Sequence, residues 1–256
     1  MPAEDDRLAR DLATEAGQRL LALRAAGGDP DDLRKAGDAS SHEFLSAQLA
    51  ARRPSDAVLS EEGKDNAARL AADRVWIVDP LDGTREFGEV DRSDWAVHVA
   101  LWERGELTSG AVALPARGRV LSTAEPLGRP EPPRAAGAQT GQLRIVVSRS
   151  RPPAFAAQVA EDIGATLVPL GSAGAKAAAV ILGEADAYLH DGGQYEWDSA
   201  APVAVAQAAG LHTSRLDGSA LAYNQADPSL PDILICPVGL AATLLDCLRA
   251  VDCSAV

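Results

Sequence analysis

Positive charge is in short supply in this chain of 256 residues: 24 lysines and arginines stand against 37 aspartates and glutamates, a formal charge of −13. Phosphate backbones demand a basic face, so this balance excludes an extended surface for a nucleic acid polymer. Cysteine is scarcer still, at three. Cys236, Cys247 and Cys253 lie late in the chain and form no C-x-x-C pair, which argues against a disulfide framework or a zinc site and leaves reduced thiols. No run approaches the roughly 18 consecutive apolar residues of a membrane span. The opening MPAEDDRLARDLATEAG has no basic segment followed by an apolar one, so neither membrane insertion nor export is expected and the location is read as cytoplasmic. No internal repeat is visible.

What the chain does have is 46% hydrophobic residues and 24% charged ones, the profile of a globular protein long enough for one large domain or two packed halves. An acidic protein that acts on phosphates needs local neutralisation, and bound metal ions are the usual means.

Leu8, Leu12, Ala16, Leu20 and Leu23 recur at helical spacing and predict a first helix closing near Gly27 and Gly28. A second helix carries Phe44, Leu45 and Leu49. Val58 to Ser60, Trp76 to Val78 and Ala96 to Trp102 are runs of strand length, the last apolar throughout and therefore buried on both faces. Residues 125–142 are crowded with proline and glycine and mark a boundary between halves. Beyond them come a strand at Leu143 to Ser148, a helix over Pro153 to Ile163 and a strand at Thr166 to Leu170. GSAGAKAAAVILGEADAYLH reads as loop, helix and strand, Trp197-Asp198 opens an alanine-rich helix ending at Gly210, and a strand ILIC precedes a C-terminal helix.

One stretch resists a purely structural account. WIVDPLDGTREF, Trp76 to Phe87, sets two aspartates three positions apart directly after an apolar run. Asp-Pro and Asp-Gly are ordinary turn dipeptides, but two carboxylates so close repel unless a cation or an array of donors absorbs their charge. Pro80 fixes φ of the turn, so both carboxylates are able to point the same way with the carbonyl of Leu81 between them. Gly83 permits close backbone approach to an anion, and Thr84 adds a hydroxyl. Further acids stand beside expected strand ends or helix starts: Glu61-Glu62, Asp198 and, more weakly, Asp38. Oxygen ligands of this kind suit a hard cation such as magnesium.

Other motifs fail on inspection. The run is no EF-hand loop, and GSAGAK lacks the glycine before and the hydroxyl residue after the lysine that a Walker A requires. His42, His98, His190 and His212 are scattered, with no acid or nucleophile at interpretable spacing, and are read as structural.

LSEEG, WIVDPLDGTREF, GSAGAKAAAVILGEADAYL and EWDSAAP, in this order, resemble the inositol monophosphatase superfamily of metal-dependent, lithium-sensitive phosphatases. The likeness covers nearly the whole chain, and D-P-L-D-G-T together with W-D-x-A-A is specific. It implies a layered α/β/α/β/α sandwich of the inositol monophosphatase and fructose-1,6-bisphosphatase type. An N-terminal subdomain, residues 1–135, would carry the larger mixed sheet and most metal ligands, and an α/β subdomain would span 140–256.

By the same resemblance, Glu61, Asp79, Asp82, Asp198 and the carbonyl of Leu81 are the magnesium ligands for two or three ions. Asp82, Gly83, Thr84 and Asp198 would contact the substrate, and Glu61 with Thr84, beside Asp82, would orient the attacking water. Asp38 resembles an aspartate assisting an additional metal. Ser40 and Glu43, however, have capping-box spacing, which leaves open that Asp38 merely decorates a helix start. A homodimer is implied by analogy alone.

Within the superfamily, D-G-T-R-E-F together with SDWAVHVALW and ALPARG is most similar to the bisphosphate nucleotidase branch, the CysQ-type enzymes of actinobacteria that hydrolyse 3′-phosphoadenosine 5′-phosphate. The expected partner is thus a small phosphate monoester, a nucleotide bisphosphate. Arg85, Ser172 and Lys176 are candidates for holding it, a second phosphate calling for a cation beyond the metals. Tyr195 and Trp197 would offer either an aromatic face or packing. Alternative substrates are inositol 1-phosphate, fructose 1,6-bisphosphate and histidinol phosphate. A non-catalytic metal or nucleotide sensor is the alternative of another class, disfavoured because Glu61, Thr84 and the clustered carboxylates are all present.

Overall fold

A computed structural model describes residues 2–128 and 142–251. Cys253 and the boundary expected between 135 and 140 lie outside the described residues. The leucine and alanine stripe forms helix α1 (Pro2–Ala26), which stops at Gly27 with a left-handed φ of +73°. Helix α2 (Pro30–Arg52) opens on Asp29, whose side chain accepts from the amides of Asp31 and Asp32, with Pro30 in the first turn. Asp38 therefore sits in the body of α2. The helix start considered at Ser40 and Glu43 does not exist, because a true cap already stands at Asp29 and the chain is helical from there on.

Both helices lie on one face of a first sheet made of β1 (Ala57–Ser60), β2 (Arg74–Asp82), β3 (Ala96–Glu103), β4 (Glu106–Leu114) and β5 (Arg119–Ser122), ordered as in the chain. β1 and β2 are parallel and the remaining pairs antiparallel. Side chains alternate across a strand: Trp76, Val78, Val97 and Val99 face α1 and α2, while Val75, Ile77, Ala96 and Ala100 face the other way. The apolar AVHVALW run is thus covered on both sides. The short helix α3 (Thr84–Gly88) follows β2.

The second sheet contains β6 (Leu143–Ser148), β7 (Ala165–Leu170), β8 (Ala187–Tyr195), β9 (Leu211–Ser214) and β10 (Ser229–Pro237), in the order β7-β6-β8-β10-β9. β6 runs parallel to β7 and β8, and β10 antiparallel to β8 and β9. Helices α4 (Ala156–Asp162) and α7 (Val238–Ala250) close its outer face. Helices α5 (Ala173–Ile181) and α6 (Glu196–Ala208) fill the space between the sheets, where their alanines and valines meet Val75, Ile77 and Val112 on one side and Val146, Ile233 and Ile235 on the other. The layers run α/β/α/β/α, as the resemblance implied. Among the described residues each sheet has five strands. Among the described residues, no helix is long and apolar enough to cross a membrane.

Candidate active site

The strand does not end at the first acid. β2 continues through Pro80 to Asp82, and its pairing with β3 skips between Asp79 and Asp82. Proline is tolerated because β1 pairs with β2 only as far as Val78, so its missing N–H costs no ladder bond there. The Pro80 carbonyl accepts from Ser41 Oγ at 2.7 Å. The bulge leaves Asp79 and Asp82 buried, and Asp79 Oδ1 accepts from the Leu81 amide at 3.0 Å. Gly83 then turns the chain with φ +83°; a Cβ there would stand 2.9 Å from Ser172 Cβ. Immediately after it, the Thr84 hydroxyl lies 3.0 Å from the Leu81 carbonyl and 3.2 Å from Asp38 Oδ1.

Asp198 approaches from α6. Its Oδ2 accepts from the Tyr195 amide at 2.7 Å, a cap that fixes the carboxylate at the helix start. Asp79, Asp82 and Asp198 each offer an oxygen within 4.8 Å of the others. Glu61, at the exposed rim after β1, shares a hydrogen bond with Asp79. Two carboxyls in such contact need a proton between them, or a cation in its place.

The charges respond accordingly. Burial, and then Glu61, Asp82 and Asp198, hold the Asp79 carboxyl well above the usual range. Crowding by protein on its inner side raises Glu61 to about 7, helped by Asp198, Asp82 and Glu62 against the Asp79 hydrogen bond. Burial and Asp82 push Asp198 to about 6, and burial and Glu62 push Asp38 to about 6. Asp82 departs from this pattern. Burial raises it too, but His98, Lys176 and the Gly174 amide outweigh that and bring it down to about 2. Concentrated, partly buried carboxylates with no nitrogen or sulfur among their donors suit a hard divalent cation.

Asp82 also joins the two sheets. Its Oδ1 accepts from the Ala173 amide at 3.2 Å and its Oδ2 from the Gly174 amide at 2.7 Å, the first turn of α5. Asp94 holds the preceding turn, accepting from the Gly171 amide at 2.7 Å through Oδ2 and from the Ser172 amide at 3.3 Å through its carbonyl. Ser172 and Lys176 engage their polar groups inside this turn. Ser172 Oγ accepts from the Ala175 amide at 2.8 Å, and the buried Lys176 ammonium donates to the Gly171 carbonyl and, at 2.9 Å, to that of Ser172. Arg85 is exposed and makes no hydrogen bond or ion pair among the described residues. Its neighbour Glu86 accepts from Arg149 Nη2 at 2.6 Å. Tyr195 and Trp197 stack on each other, centroids 4.7 Å apart and planes 11° from parallel.

Sequence reasoning passed over His98, grouped with the structural histidines. It is wholly buried on β3, with Nε2 3.2 Å from Asp82 Oδ2 and Nδ1 3.0 Å from the Trp197 carbonyl. A histidine inside an apolar strand paired with the acidic one was the available signal. Asp94 and Gly174 carried no signal at all.

The sequence model of the inositol monophosphatase family matches residues 4–244. A Mycobacterium leprae protein named 3′-phosphoadenosine 5′-phosphate phosphatase is 50% identical over 262 residues, covering 96% of this chain and 94% of that protein. Its Mycobacterium tuberculosis namesake is 53% identical over 245 residues, covering 90% and 88%. Among solved structures, CysQ from Bacteroides thetaiotaomicron, a bacterial member of the inositol monophosphatase family, superposes with a TM-score of 0.77 at 26% identity, covering 91% of this chain and 97% of that one.

Proposed function

Because the chain belongs to the inositol monophosphatase family, we propose that its acidic cluster is the active site of a magnesium-dependent phosphatase that hydrolyses 3′-phosphoadenosine 5′-phosphate to AMP and phosphate. The observation that carries this is the convergence of Asp79, Asp82 and Asp198 from β2 and α6 on one point, in a chain half identical to mycobacterial proteins of that name.

In this reading Glu61, Asp79, Asp82, Asp198 and the Leu81 carbonyl hold two or three Mg2+ ions. Bound magnesium supplies Lewis acidity toward the phosphoryl oxygens and lowers the pKa of a coordinated water. The chain's own residues position the reactants. The Thr84 hydroxyl, placed between the Leu81 carbonyl and Asp38, accepts from the attacking water and passes its own proton contact to either oxygen. Glu61 faces the same water from the rim. No side chain is needed as a nucleophile, so attack is in line and the phosphorus inverts. Gly83 and Thr84 cradle the reacting phosphoryl group, and Arg85, unpaired on the surface, meets the other phosphate. Ser172 and Lys176 serve the substrate by shaping the turn at 171–174 that abuts Gly83.

The proposal extends to two subdomains, 1–135 and 140–256, sharing this site, to a homodimer, and to a cytoplasmic setting, which suits the unpaired Cys236 and Cys247.

Four candidate substrates share the metal chemistry and differ in how their non-reacting groups are bound. At one magnesium concentration, 3′-phosphoadenosine 5′-phosphate should give a higher kcat/KM than inositol 1-phosphate, fructose 1,6-bisphosphate or histidinol phosphate. Inositol 1-phosphate ahead by tenfold, about 1.4 kcal/mol of transition-state preference, would overturn the substrate and leave the phosphatase. No magnesium-dependent release from any of the four would remove the phosphatase as well.

A further inference from the structure

Each carboxylate of the cluster has a donor of its own. Asp79 takes the Leu81 amide, Asp198 the Tyr195 amide, and Asp82 the amides of Ala173 and Gly174. None of these bonds ties Asp82, on β2, to α6, which carries Asp198. Hydrogen bonding through these donors therefore leaves the separation of the two ligands to the packing of α6 on the first sheet and to any group that spans the two.

His98 makes that span. From β3 its ring places Nε2 3.2 Å from Asp82 Oδ2 and Nδ1 3.0 Å from the carbonyl of Trp197, the residue before Asp198. Both nitrogens face acceptors, one on each side, and the ring is fully enclosed. The approach of Nε2 to Asp82 is an ion-pair contact, not an aligned hydrogen bond, and among the described residues Nε2 has no hydrogen-bond partner. The surroundings are shaped to the ring: a Cβ on Gly174 would lie 2.2 Å from Nε2, so the first turn of α5 leaves it room only because glycine stands there. The backbone register alone does not produce the contact, since His98 is paired across the sheet with Asp79; it is the bulge between Asp79 and Asp82 that brings the second carboxylate within reach.

We infer that His98 is a positioning residue that sets the separation of Asp82 from Asp198 and thereby the affinity of the site for its divalent cation. The inference rests on the reading that these carboxylates hold such a cation. It goes beyond that reading by assigning to a residue outside the ligand set the task of gauging the gap between ligands from different elements. Groups that orient metal ligands typically affect metal affinity by about 10–100-fold.

The test is direct binding of Mn2+ to metal-free protein, followed by the electron paramagnetic resonance signal of the free ion. Wild type, His98→Leu, His98→Gln and Asp82→Asn are compared, each checked for a native circular dichroism spectrum. His98→Leu should weaken Mn2+ binding by roughly 10-fold or more, and should raise the Mg2+ concentration for half-maximal activity by a similar factor, with a much smaller change in kcat at saturating Mg2+. His98→Gln, whose amide nitrogen carries two N–H donors, should recover part of the affinity and folds even where leucine does not. Equal Mn2+ affinity in wild type and in a folded His98 variant overturns the inference and leaves the cation site standing, provided Asp82→Asn binds more weakly. Wild-type protein that takes up no Mn2+ overturns the site and the inference together.

Discussion

Glu61 and Asp79 are close enough to share a proton, and that proximity fixes how the site answers to pH. Asp38 and Asp198 titrate near 6 and Glu61 near 7 in the folded chain, against ordinary values of 3.8 for the aspartates and 4.5 for the glutamate. Groups raised in this way favour the folded state while they are protonated in it. Their contribution is complete below about pH 4 and is lost as pH rises through 6 to 7. Metal-free protein should therefore become less stable across that window. A divalent cation takes the place of the protons, and its binding requires the ionised ligands. The rise in Tm produced by saturating Mg2+ should accordingly be larger at about pH 8 than at about pH 5, measured by differential scanning fluorimetry in matched buffers. Equal shifts at both would mean that these carboxyls do not bind the ion.

Among the elements, α5 is notable for a first turn capped from another layer. Asp82 accepts both of its leading amides, using the charge-assisted bonds that favour carboxylates at helix starts. Asp82→Asn keeps the shape, but its amide end faces an N–H instead of accepting from it, and one ionic ligand is lost. Turnover should fall by roughly 100-fold or more, about 3 kcal/mol of transition-state stabilisation. A variant with near-normal kcat would remove Asp82 from the site.

The elements that sequence made legible are those with strong periodicity or long apolar runs. α1, α2, α5, α6 and α7 fall where the apolar spacing puts them, and β3 where the run AVHVALW does. β4 was missed because ELTSGAVAL opens with small and polar residues, and β9 because LHTS is only a short edge strand. The carboxylates of the cluster were readable because charge in a buried strand is costly and demands a reason. The contacts of Asp82 with Ala173 and Gly174, and of Asp94 with the turn at 171–172, were not, since they arise from bulge geometry and from packing between distant segments, which local pattern does not encode; His98 offered only its place inside an apolar strand.

For the molecule as a whole, the layer between the sheets decides cooperativity. One continuous cluster joins Val75, Ile77 and Val112 of the first sheet to Val146, Ile233 and Ile235 of the second through α5 and α6. Neither half buries these helices alone. Calorimetry should show a single transition, with calorimetric and van't Hoff enthalpies equal. Two separated transitions would mean that the halves fold independently.

That middle layer is also a shim. Gly110 of β4 lies under α6 so closely that a Cβ on it would stand 2.6 Å from the methyl of Ala204 and 3.2 Å from the Ala201 carbonyl. The thickness of the gap is machined in methyl groups, and Asp198 rides at the end of the part so mounted. Gly110→Ala should force α6 away from the sheet, since a Cβ at 2.6 Å lies well inside ordinary van der Waals contact, and so loosen cation binding, and Ala204→Gly in the same molecule should seat it again. Titrating Mn2+ into the single and double variants reads the displacement at a distance. In this protein the calibration of the chemistry is set by side chains that take no part in it.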